Sequence, residues 1–183
     1  MVKQKMNKQG VLIWITGLPG SGKTTLAQAL YESIKDRLPS VCIDGDAIRN
    51  IMGNDLGYST KDRLTNAYRI ARLNKYLVDH NLTIICSTVS LFKEIHQWNR
   101  KNIKNLIEIY IEVPMDILIE RDQKNIYTQA IKGRRRNVRG FDQDFDVPER
   151  PNLIIKNDKD LNLFLKNVNK INKLIKKKYD GKK

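Results

Sequence analysis

The run GLPGSGKT, Gly17 to Thr24, matches GxxxxGK[ST] and stands directly after an apolar stretch, at the start of a segment rich in Ala and Leu. That spacing has a chemical reason. Gly17, Gly20 and Gly22 let the backbone curl until successive N–H groups point at one phosphate, and a helix beginning at Lys23 adds its positive dipole end. Lys23 is then spaced to reach the β- and γ-phosphates of a nucleoside triphosphate, and Thr24 to offer its hydroxyl to Mg²⁺. The expected nucleotide-binding stretch is Gly17, Leu18, Pro19, Gly20, Ser21, Gly22, Lys23, Thr24 and Thr25. A ligand-free glycine turn is the alternative, and the flanking strand and helix count against it.

Two further groups could do chemistry. In CIDGDAIR, Cys42 to Arg49, an extended backbone would project Asp44 and Asp46 to the same side, at the sheet end where ligands of open α/β folds gather. One carboxylate could orient a substrate hydroxyl or hold Mg²⁺ through water, or both could merely cap the next helix; Arg49 could meet a substrate phosphate. The stretch IKGRRRNVRGFD, Ile131 to Asp142, carries Arg134, Arg135, Arg136 and Arg139. Phosphoryl transfer needs charge neutralised and water excluded, and an arginine-bearing lid supplies both.

These groups need a scaffold. Apolar runs alternate with helix-period segments, the pattern of a parallel sheet covered by helices on both faces. Strands are expected at 11–16, 40–44, 82–87, 106–113 and 152–156, and helices at 23–38, 62–80, 92–101, 115–122 and 160–178. The fold class is therefore α/β, a three-layer α/β/α arrangement on a mostly parallel five-stranded sheet. Ser59 stands three residues before Asp62, like a capping box. Ala67, Ile70, Ala71, Leu77 and Val78 should share one face of the helix that follows, and Leu161, Phe164, Val168, Ile171 and Ile175 one face of the last. The segment 123–151, without strong periodicity, is long for a loop and contains all four arginines, so it is the expected lid.

The chain has 183 residues, enough for one domain spanning 1–183, and a net charge of +14. That charge is uneven. Residues 1–10 carry three lysines and no acid, and residues 156–183 carry ten lysines against Asp158, Asp160 and Asp180, leaving +4 for the 145 residues between. A basic ATPase acting on nucleic acid is the rival that this charge invites. No basic strand is interleaved with aromatics, and a solvated face on the last helix accounts for the lysines, so no nucleic-acid partner is expected. Cys42 and Cys86 are isolated in apolar runs, as buried thiols of a reducing compartment would be. No apolar run is long enough to span a membrane and no signal-type region follows the first lysines, so a cytoplasmic protein without a membrane partner is expected. A homodimer is an open alternative to a monomer.

The ordered motifs GLPGSGKTT, DGDAIR, LGYSTKDRLTNAYRIA, ERDQKNIY and GFDQDFDVPERP resemble the adenylylsulfate kinases, from about Val11 to Ile155. The resemblance implies transfer of the γ-phosphate of ATP, with Mg²⁺, onto the ribose 3′-hydroxyl of a small nucleotide. It implies that Asp46 is the catalytic carboxylate beside Lys23, and that Asp44, Arg49, Tyr58, Arg63, Asn66 and Lys124 contact the acceptor. Arg121, followed by Asp122, would lie near the ATP adenine, and Lys124 with Tyr127 would form the lid entrance. Tyr58 replaces the phenylalanine that stacks on the base. Three departures stand out: KNIYTQA for the usual KGLYKKA, Leu91 where a proline usually follows the serine, and Val138-Arg139-Gly140 where a phenylalanine-threonine-glycine turn usually lies. Val138 would remove one of two aromatic walls around the acceptor base, worth about 1–3 kcal/mol in stacking. Two acceptors therefore stay open, adenosine 5′-phosphosulfate and the smaller-based cytidine diphosphoramidate of capsule phosphoramidate synthesis.

Overall fold

Seven consecutive buried residues, Val11–Gly17, form β1, the unbroken apolar run of a parallel strand covered on both faces. The structure, a computed structural model, describes residues 10–122 and 124–181. The N-terminal lysines Lys3, Lys5 and Lys8, and Gln123 at the start of the expected lid, lie outside them. After β1 come α1 (Lys23–Ile34), β2 (Ser40–Asp44), α2 (Gly45–Ile51), α3 (Thr60–Asp79), β3 (Thr83–Thr88), α4 (Lys93–Asn102) and β4 (Leu106–Glu112). The chain continues through α5 (Met115–Arg121), α6 (Ile126–Ile131), β5 (Leu153–Lys156), α7 (Leu161–Leu165) and α8 (Asn167–Asp180).

The five strands lie in the order β2-β3-β1-β4-β5, and every pairing is parallel. Alternation along β1 divides the core into two layers. Val11, Ile13 and Ile15 join a cluster with Leu26 and Leu30 of α1, Leu118 of α5 and Ile171 and Ile175 of α8. Leu12 and Trp14 face the opposite layer, with Ile70 of α3 and Ile95 of α4. The expected three-layer α/β/α architecture is thus present. With β1 flanked by β3 and β4, successive connections leave it in opposite directions, which opens a crevice at the carboxyl ends of these strands.

Several elements differ from the expected ones. The helix α3 starts at Thr60 rather than Asp62, capped by Ser59: its Oγ accepts from Asp62 N at 3.2 Å and donates to Asp62 Oδ2 at 2.7 Å. Segment 124–152 contains a short helix, α6, that periodicity did not mark. The terminal helix is two, α7 and α8, because Asn167 Nδ2 donates to the Phe164 carbonyl at 2.9 Å and tightens the chain at Lys166. Its lysines Lys166, Lys170, Lys173, Lys176 and Lys177 are exposed, as a solvated face requires, and so is Leu161, which was expected to be inside. Cys42 is only half-buried.

Gly10, just before β1, approaches the α3–β3 turn closely: a Cβ there would lie 2.3 Å from the Leu82 carbonyl oxygen and 2.5 Å from that of Val78. Both obstacles are backbone and cannot swing away. Gly10→Ala is expected to destabilise the protein by about 1–3 kcal/mol, lowering the thermal midpoint by roughly 2–4 °C per kcal/mol; an unchanged midpoint in thermal unfolding would show that the turn yields freely.

Candidate active site

The phosphate loop turns from β1 into α1 at Gly22, whose φ of +92° and close neighbours both require glycine: a Cβ would meet Asn157 Nδ2 at 2.7 Å and the Phe164 ring at 3.2 Å. Asn157, directly after β5, donates from Nδ2 to the Ser21 carbonyl at 3.0 Å, and its own carbonyl accepts from Arg121 Nη1 at 2.8 Å. It ties the loop to Arg121. Lys23, 9% exposed, donates from Nζ to the Leu18 carbonyl at 2.8 Å, folded back over the loop where phosphate oxygens would compete for it. Burial lowers its pKa from 10.5 to about 8, with Asp46 and Asp44 pulling it up and Lys124 pushing further down.

The two acids of DGD take different places. Asp44, the last residue of β2, caps α2 by accepting from Asp46 N at 2.9 Å, while its Oδ2 accepts from Thr24 Oγ1 at 3.0 Å and Ser87 Oγ at 3.1 Å. Capping and proximity to Thr24 are both true of it. A hydroxyl and a carboxylate side by side at the loop are hard oxygen donors of the kind Mg²⁺ takes when phosphates and water complete its shell. Asp46 is exposed, and Lys124 Nζ lies 3.3 Å from its Oδ2. Of the two acids it is the one exposed at the surface, where a substrate could displace Lys124.

Beyond Asp46 lies a cluster of arginines around Tyr58. Arg49, on α2 and buried, donates from Nη1 to the Leu56 and Gly57 carbonyls at 2.7 and 2.9 Å. Arg63, on α3, donates to the Tyr58 carbonyl at 3.1 Å and to the Asn137 carbonyl at 2.8 Å. The guanidinium carbons of Arg49, Arg63 and Arg135 lie 4.8, 5.1 and 5.8 Å from the Tyr58 ring centre. Tyr58 remains 47% exposed. Burial holds the Arg63 guanidinium below its ordinary proton affinity, and the Arg139, Arg49 and Arg135 charges push the same way. Asn66 is buried beside them on α3, with its Oδ1 unpaired in the protein.

The segment after α5 is fastened to the phosphate loop. Asp122 accepts from Tyr127 N at 3.0 Å and Thr128 N at 2.7 Å, starting α6, and the buried Tyr127 donates its hydroxyl proton to the Pro19 carbonyl at 2.9 Å. Farther along, Gln143 Nε2 donates to Asn137 Oδ1 at 3.0 Å, and Asp142 accepts from Asn137 N at 2.7 Å. Arg134 and Arg136 are exposed to solvent.

Two residues of this segment are not where the sequence put them. Val138 is 1% exposed and packs in the core cluster with Leu18, Leu118 and Tyr127, so it offers no surface to a base. A small apolar side chain lets the turn sink inward. Arg139 does not stand open beside its three neighbours: it is 4% exposed, with its guanidinium carbon 4.1 Å above the Phe92 ring centre and Nη1 donating to the Asp144 carbonyl. The sequence also left unmarked Asn157 and Ser87, each at the carboxyl end of a strand beside the phosphate loop, the one position that could have flagged them.

Lys23 generates a pH prediction. A neutral amine must regain its proton to meet phosphate, so nucleotide binding should take up a proton above pH 8 and weaken as pH rises through that value. Titration calorimetry of ADP at pH 9 in two buffers of different ionisation enthalpy should report that uptake in the native protein and not in Lys23→Met; equal heats in both buffers for the native protein would contradict it.

The adenylylsulphate kinase family model matches residues 9–156. A cytidine diphosphoramidate kinase of Campylobacter jejuni is 44% identical over 153 residues, 83% of this chain and 89% of that one. An adenylyl-sulfate kinase of Deinococcus deserti is 36% identical over 82% of this chain and 83% of its own length. Among solved structures, the Mycobacterium tuberculosis APS kinase in complex with AMPPNP and APS superposes with a TM-score of 0.84 at 25% identity, covering 92% of this chain and 98% of that one. With the phosphate loop, paired acids and arginine cluster in this order, the chain belongs to the adenylylsulphate kinase family and is an ATP-dependent kinase acting on a hydroxyl group.

Proposed function

We propose that the acceptor is cytidine diphosphoramidate, phosphorylated on its ribose 3′-hydroxyl. The observation that carries this reading is the 44% identity to the Campylobacter jejuni cytidine diphosphoramidate kinase, against 36% to the Deinococcus deserti adenylyl-sulfate kinase over a nearly equal span. The shape of the acceptor side supports it. Tyr58 is the exposed ring among the arginines, and Val138, where the family resemblance expects the second wall, is buried in the core. A pyrimidine, with less surface to stack than adenine, loses less from a single wall.

In this reading ATP lies along Gly17 to Thr25 with Arg121 near its adenine, and Lys23 turns from the Leu18 carbonyl to the β- and γ-phosphates. Thr24 and Asp44 would hold Mg²⁺, which would supply positive charge to the transferring phosphate. The acceptor docks on Tyr58, Arg49, Arg63 and Asn66. Asp46 leaves Lys124, accepts a hydrogen bond from the 3′-hydroxyl and aligns it for in-line attack, taking its proton as the new P–O bond forms and the bond to ADP breaks. The segment from Lys124 onward acts as a lid, excluding water so that the phosphate passes to the nucleotide. The unpaired thiols Cys42 and Cys86 fit a cytoplasmic setting.

With Mg²⁺ and ATP, ADP formation should be faster in kcat/KM with cytidine diphosphoramidate than with adenosine 5′-phosphosulfate; the reverse order would make the protein an adenylylsulfate kinase. Asp46→Asn should lower kcat by about 10²–10⁴ while ATP affinity stays near native. Near-native turnover in that variant would remove Asp46 from proton transfer.

A further inference from the structure

Arg49 and Arg63 beside Tyr58, and Arg139 on the turn that Arg63 holds, differ from Arg69 and Arg100 in what holds them. Arg69 makes a two-pronged pair with Asp55 at 2.6 and 2.8 Å, and Arg100 binds Glu108. The hydrogen bonds of Arg49, Arg63 and Arg139 all end on backbone carbonyls: Leu56 and Gly57, Tyr58 and Asn137, and Asp144. Neutral dipoles orient these guanidinium groups, and none of these hydrogen bonds ends on a carboxylate. Arg139 is the extreme case. Although 4% exposed, it has two donors, Nε and Nη2, without any partner in the protein, and only the more distant Asp146 and Asp144 carboxylates offset its charge. A buried cation with two unmet donors is costly unless something fills them. The turn that carries it is fixed at Asn137, two residues away, by the bond from Arg63, and Arg139 acts on Arg63 as a neighbouring like charge.

We infer that Arg139 is a binding and specificity residue: its free Nε and Nη2 edge, together with Arg63 and Arg49, receives the anionic anhydride attached to the acceptor's 5′ position. This rests on the acceptor side assigned above, but not on which base the acceptor carries. With an acceptor base stacked on Tyr58, a doubly anionic 5′ group reaching toward Arg63 and the turn it holds would supply the oxygens that the protein withholds from Arg139. A guanidinium fork suits such oxygens better than an ammonium would. The Phe92 ring beneath and the Asp144 carbonyl at Nη1 hold the fork in one plane, so it is oriented before the ligand arrives. Arg139 therefore acts on acceptor recognition, while Lys23 and Asp46 serve the transfer itself.

The test is a steady-state comparison of the native enzyme with Arg139→Thr and Arg139→Lys, using whichever of cytidine diphosphoramidate and adenosine 5′-phosphosulfate the native enzyme turns over. Failure of the cytidine reading thus leaves this experiment intact. Losing charged hydrogen bonds should raise the acceptor KM by about 10–100-fold in Arg139→Thr, with the KM for ATP unchanged. Arg139→Lys, which keeps the charge and loses the fork, should fall between, and it carries the test if Arg139→Thr does not fold. As a control for a mere packing strut, inhibition against the acceptor by the 5′-phosphorylated nucleoside of the same base (CDP, or AMP if the adenosine acceptor is the one used) should weaken in the variants, while inhibition by the plain nucleoside, which lacks the 5′ anion, should not. An unchanged acceptor KM, an equal rise in both KM values, or an equal weakening of the anionic and the neutral inhibitor would overturn the assignment.

Discussion

Three hydrogen bonds converge on the Asp44 carboxylate, from Asp46 N, Thr24 Oγ1 and Ser87 Oγ, and through them three strand ends hold one another in place. Thr24 belongs to the helix after β1, Asp46 to the helix after β2, and Ser87 to β3. The sheet order puts β3 between β2 and β1, so a single carboxylate at its carboxyl edge can reach all three. The consequence is chemical as much as structural. The residue that fixes the phosphate loop against the second strand also fixes where the exposed Asp46 begins its helix, and so the distance between donor and acceptor sides.

A second tether works from the opposite edge. Asn157, at the end of β5, holds the Ser21 carbonyl and receives Arg121, while Tyr127 reaches the Pro19 carbonyl from α6. The loop is therefore held from this edge at its Ser21 and Pro19 carbonyls. Around Tyr58 the same device appears with arginines, which are oriented by carbonyls rather than neutralised by acids. Binding strength is kept for an incoming anion in both places.

The phosphate loop and the strands were legible in the sequence because their signals are local: a fixed spacing of glycines, and apolar runs of strands buried on both faces. The capping Ser59 was legible for the same reason. Contacts between distant parts were not. Asn157 meets Ser21 across 136 positions, and nothing in the run around it marks that meeting. Helix α6 has six residues, too few for a period to show. Val138 and Arg139 illustrate the harder case: family resemblance fixed their position in the chain, but only packing determines that the valine sinks beside Leu18 and the arginine lies flat on Phe92. Charge was readable by location, since the lysines of α8 form a solvated face and Arg49, Arg63 and Arg135 gather around Tyr58.

In the proposed reaction, donor and acceptor nucleotides meet at Asp46 with a ribose hydroxyl in line. The most direct measurement is the position of the transferred phosphate. After incubation with Mg²⁺, ATP and cytidine diphosphoramidate, correlated proton and phosphorus NMR should show one new phosphorus coupled to the ribose H3′, with the 5′ chain intact. A phosphate on the 5′ chain, or free phosphate beside an unmodified acceptor, would contradict the account.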